Sequence, residues 1–86
     1  VSIPAEAQQA IVQARADAAS RTGVESDRWR PVEVVARLWP DAGLGCPEPD
    51  KVYAQVLTPG YLITLEAGRR RIVYHSGGGR VVYCGG

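Results

Sequence analysis

The sequence predicts an α+β domain in which an N-terminal helix packs on an antiparallel β-meander sheet of four or five strands, with one disulfide. Three observations carry this reading. Alanine recurs at helical spacing through the first part of the chain. The remainder breaks into short β-type runs separated by glycine and proline turns. The only two cysteines, Cys46 and Cys84, stand in the middle and near the end. Eighty-six residues make a single small domain, 1–86. A core of this size is marginal, so a cross-link counts.

Residues 4–22 read as one helix. Pro4 suits its first turn, where a missing N–H costs nothing. Ala7, Ala10, Ile11, Ala14 and Ala18 form the apolar stripe, and Gln8, Gln9, Gln13, Arg15 and Asp17 take much of the other surface. Arg21 in the last turn and Gly23 beyond it mark the stop. A stripe of alanine lets the helix lie close to a sheet, and packing must hold it.

From Arg30 to Trp39 the period changes to two. Val32, Val34, Ala36 and Leu38 point one way, and Glu33, Val35, Arg37 and Trp39 the other. Pro31 suggests an edge strand or the start of one. Four further β-type runs follow at 52–57, 61–66, 69–75 and 80–84, with a helical turn as the alternative for Val52 to Gln55. Thr58-Pro59-Gly60 fits a type II turn, Ala67-Gly68 a tight hairpin, and Ser76 to Gly79 a looser one. Short connections make the strands antiparallel neighbours. Val34, Leu38, Ile63 and Ile72 are expected between sheet and helix, facing Ile11.

Between the first strand and the meander lies Trp39-Pro-Asp-Ala-Gly-Leu-Gly-Cys46-Pro-Glu-Pro49, with three prolines and two glycines in eleven residues. Two cysteines in a small chain suggest a Cys46–Cys84 disulfide and an oxidising compartment, and a bond over that loop would contribute roughly 4 kcal/mol by chain entropy. Two buried thiols in a reducing compartment remain the alternative on residues alone. A proline-stiffened, tethered loop loses less entropy on binding. Gly43, Leu44, Gly45, Pro47 and Glu48 are therefore the candidate binding residues, with Leu44 as anchor. Two readings follow: a non-catalytic module that binds or regulates another protein, or a protease-inhibitor-like domain presenting residues 43–49 to a protease. The same residues also serve simply to turn the chain.

Composition narrows the other classes. With 45% apolar residues, 22% charged residues and a net charge of +1, the chain lacks the basic excess of a dedicated nucleic-acid binder. No apolar run reaches the roughly 20 residues of a membrane span, and no stretch reads as a signal peptide. His75 is the only histidine. It would pair with a free thiol for nucleophilic catalysis, but the disulfide removes the thiol. One histidine and two bonded cysteines cannot make a metal site, and Asp41, Glu48 and Asp50 lack calcium-loop spacing. Neither catalytic residues nor a cofactor are expected. Gly77 to Gly79 before Arg80 lacks the lysine and helix of a phosphate loop. Arg69-Arg70-Arg71 with nearby tyrosines reads as a solvated hairpin rim that discourages edge aggregation.

Trp39-Pro40-Asp41, Leu44-Gly45-Cys46-Pro47, Tyr53-Ala-Gln55-Val56, Thr58-Pro59-Gly60-Tyr61, Tyr74-His75 and Cys84 together resemble a signature of small, functionally uncharacterised bacterial extracytoplasmic proteins and lipoproteins. The resemblance spans roughly residues 5–84, and this chain departs from it at Gly43 and Asp50. It implies an extracytoplasmic location (periplasmic, cell-surface or secreted) and a disulfide, and no activity.

Overall fold

A computed structural model describes residues 2–85. One turn of 3-10 helix, Ala5–Ala7, leads into α1, Gln8–Thr22. Gly23 ends α1, its N–H donating to the Ala19 carbonyl at 2.9 Å. A second 3-10 turn, Ser26–Arg28, delivers the chain to β1, Arg30–Trp39. After an irregular segment come β2, Thr58–Ala67, β3, Arg70–Gly77, and β4, Arg80–Gly85. The strands lie in the order β1-β2-β3-β4, each antiparallel to the next. This is the expected helix-on-meander architecture with four strands, and Cys46 is bonded to Cys84.

The alanine stripe works as expected. Ala7, Ile11, Ala14 and Ala18 are buried against Ile63, Leu65, Ile72 and Tyr74, and Trp29 completes this core. On β2 the residues of this face are odd-numbered and on β3 even-numbered, as the pairs Ile63–Tyr74 and Leu65–Ile72 require.

Several expectations are corrected. Residues 52–57 form no strand, because no strand among the described residues pairs with them. Thr58-Pro59-Gly60 is the opening of β2 rather than a turn, and Pro59 is accommodated opposite edge strand β1. The β3–β4 connection is a tight two-residue turn, not a loose one. Gly77 pairs with Arg80, and Gly78 and Gly79 have φ of 56° and 77°, the conformation of a type I′ hairpin. A bulge between Pro31 and Glu33 shifts the phase of β1, so Val32 lines the open face with Glu33 and Thr64. Leu38 does lie on the helix side, opposite Pro59, yet it is 63% exposed. The helix crosses β3 and β4 and leaves that end of β1 uncovered. Trp39, which alternation places on the face opposite Leu38, is the buried residue of this end.

Candidate functional site

The segment 40–57 folds back over the sheet face that the helix leaves open, and it is held there by identifiable contacts. The indole of Trp39 stacks on His75, with ring centroids 4.3 Å apart, and its Nε1–H donates to the Ser76 carbonyl at 2.9 Å. Gly60 faces the same carbonyl. A Cβ on Gly60 would clash with the Ser76 carbonyl, so only glycine allows the two backbones to lie this close. His75 Nδ1–H donates to the Leu44 carbonyl at 2.7 Å, a carbonyl being able only to accept. Arg80 Nη1 donates to the Ala42 carbonyl at 2.6 Å, and the disulfide fixes Cys46 to the last strand.

Inside the loop, Asp41 Oδ1 accepts from the Gly43 N–H at 2.8 Å, and the Ala42 N–H donates to the Ala54 carbonyl at 3.0 Å. Glu48 N–H donates to the Tyr53 hydroxyl at 3.2 Å. Lys51 lies 2.7 Å from Glu48, and its hydrogen bond and charge hold that carboxyl below the ordinary carboxylate range.

These contacts correct the expectation for Leu44. It is 1% exposed, packed under the loop rather than presented by it. It is also the one non-glycine residue with positive φ, 59°, among the described residues. Such a conformation costs on the order of 1–3 kcal/mol, and burying a leucine contributes about 1.5–3 kcal/mol. The two nearly cancel, so the disulfide and the His75 hydrogen bond set the conformation. Gly43 is buried beside Leu44, while Gly45, Pro47 and Glu48 are exposed. The five candidate residues thus share one loop but not one accessible surface.

Sequence reasoning passed over the surface this arrangement creates. The arm 52–57, read as a strand, has Val52 99%, Val56 60% and Leu57 65% exposed. Its backbone is almost unpaired. Among the described residues, its hydrogen bonds are the one from Ala42 to the Ala54 carbonyl and one from Thr58 Oγ1 to the Val56 carbonyl at 2.8 Å. Beside the arm runs a hollow of 420 Å³, lined by Ala54, Val56, Leu57, Pro59, Gly77 and Arg80, with Leu44 at its floor. The signal available in the sequence was the same β-type composition that suggested a strand.

Both cysteines are in the disulfide and His75 Nδ1 is committed to a carbonyl, so the Cys–His pair considered above is not formed. Among the described residues no three His, Cys, Asp or Glu side chains converge as a metal site, and no helix is long and apolar enough to cross a membrane.

Residues 11–84 match the family described as "Domain of unknown function (DUF8738)", and the chain belongs to that family. No curated protein and no solved structure matches it.

Proposed function

We propose that this DUF8738 domain is a non-catalytic, extracytoplasmic module that binds another protein, and that it does so by accepting an extended segment of its partner along the arm 52–57. The observation that carries this reading is an arm with β-type side chains and, among the described residues, no strand beside it, its apolar residues exposed and its backbone groups mostly unpaired. An unpaired extended segment is a template for strand addition, where backbone bonds supply affinity and alternate side chains supply specificity. Each such bond contributes about 0.5–1.5 kcal/mol net. The disulfide, the Arg80–Ala42 bond and the Ala42–Ala54 bond already hold the arm, which lowers the entropy lost on binding. The outer edge of β1 is a poorer template, since Pro31 and the adjacent bulge blunt it. A disulfide that ties a loop to the last strand also supports an oxidising compartment. The protease-inhibitor reading loses support, because Leu44 is buried and its left-handed backbone is not the extended conformation of a reactive loop.

The test is retention of a partner from the native secretome on the immobilised, oxidised chain. The wild type should retain one, and the double variant Val56→Glu/Leu57→Glu should not, with its melting temperature within a few degrees of wild type. Gln55→Pro, which removes one backbone donor, should weaken the same interaction about tenfold. Equal retention by all three chains would overturn the proposal.

A further inference from the structure

The corner where α1 ends carries a feature independent of the arm. Between the last turn of α1, the β2–β3 hairpin and β4 lies an open hollow of 530 Å³, lined by Arg21, Thr22, Arg69, Arg70, Ile72 and Tyr83. Arg21 is fixed within it. Its Nε–H donates to Asp17, and its guanidinium plane lies over the Tyr83 ring, Cζ 4.1 Å from the centroid. Asp17 is held in turn by the Tyr74 hydroxyl, which donates to it at 2.7 Å. Among the described residues Asp17 is the one carboxylate that Arg21 pairs with, reached through Nε, and the Tyr74 hydroxyl is the other polar neighbour of its guanidinium. Arg69 and Arg70 are exposed on the hairpin and, among the described residues, make no ion pair. Arg71 shares Glu66 with Arg30, so one carboxylate answers two guanidiniums. On a chain of net charge +1, this corner concentrates uncompensated positive charge.

We propose that this hollow binds a phosphate-ester group, with the guanidinium of Arg21 as a preorganised fork and Arg70 and Arg69 closing from the hairpin. Guanidinium edges match phosphate oxygens two at a time, and three arginines approaching from two elements suit a group with three free oxygens better than a carboxylate with two. Two forces oppose binding: Asp17 is close, and the C-terminus of α1 presents about half a negative charge. Asp17 is already spent on Arg21 and Tyr74, which leaves the half charge facing two unpaired guanidiniums. Screening within about 8 Å at physiological salt means that the contact must be direct.

The experiment is an NMR titration of the arginine Nε–H resonances with pyrophosphate at low salt. Saturable shifts should be largest at Arg21 and Arg70. Arg70→Gln should raise the Kd at least about fivefold, and so should Arg21→Lys, which keeps the charge but loses the fork. Arg37→Gln, at the other end of β1, should leave the Kd unchanged. Vesicles containing phosphatidic acid, whose headgroup is a phosphate monoester, are tested in parallel. Retention on vesicles that Arg70→Gln abolishes would support the site and assign it to a lipid headgroup. Pyrophosphate binding without vesicle retention would support it and assign it to a soluble phosphate ester. Binding of neither probe, or equal weakening by Arg37→Gln and Arg70→Gln, would overturn it.

Discussion

The two tryptophans sit at opposite ends of β1 and on opposite faces of the sheet, and they are buried by different means. The Trp29 side chain lies wholly inside the helix-side core, where its Nε1–H has no protein partner among the described residues and apolar contact holds the indole. Trp39 lies under the loop, stacked on His75 and hydrogen-bonded to Ser76. The first region is a hydrophobic core that spacing encodes. The second is a corner built from single contacts, each needing one particular residue. A periodic region tolerates exchange of one aliphatic residue for another, whereas the corner depends on Gly60, His75, Arg80 and the disulfide together.

The largest effects should separate the two regions. Leu65→Ala, in the fully buried core, should cost about 2–5 kcal/mol in denaturant unfolding. Leu38→Ala, on the same side of the sheet but 63% exposed, should cost under about 1 kcal/mol. Similar losses at both positions would contradict the exposure of Leu38 at the uncovered end of β1.

Next comes the disulfide. Cys46 and Cys84 are 38 residues apart, and chain-entropy reasoning assigns the bond about 4 kcal/mol. Replacing both cysteines by serine should lower the unfolding midpoint and raise amide exchange first in residues 40–57. Two alkylatable thiols in the native oxidised protein would contradict the pairing. Smaller again is Trp39→Phe, which keeps the ring over His75 but removes the bond to Ser76. About 1–2 kcal/mol is expected, the cost of leaving that carbonyl without its partner.

The smallest effect is electrostatic. Burial pushes the Asp17 carboxyl upward, but hydrogen bonds from Tyr74 and Arg21 and the Arg21 charge outweigh it and hold its pKa below the ordinary value. A carboxyl lowered in the folded state stabilises the fold above its unfolded pKa, about 3.9, and this contribution is lost as pH falls through the folded value. Urea midpoints measured downward from about pH 6 should therefore fall more steeply below about pH 4 for wild type than for Asp17→Asn.

The contrast also explains what could be read from the chain. The helix, its Gly23 stop, β1 and the strand runs at 61–66, 69–75 and 80–84 all carry a period or a turn residue, and each occupies an element close to its expected place. The periodic part of the core followed, with Ile11, Ile63 and Ile72 buried and Val34 packed against them. Leu38 is exposed and Trp39 buried because alternation fixes which residues share a face, not which face is covered where. The loop that buries Trp39 and Leu44 has no period. The arm 52–57 departs from expectation for the complementary reason: its composition favours a strand, but pairing requires a neighbour, and the described residues do not provide one. Its exposure, rather than its conformation, is what supports the proposal that a partner docks there.

Amide hydrogen exchange of the oxidised domain, alone and with the partner retained from the secretome, tests the central claim most directly. The account expects residues 52–57 to exchange rapidly in the free protein and to become protected in the complex, with the helix-side core unchanged. Rapid exchange at 52–57 in both states, with new protection elsewhere, would contradict it.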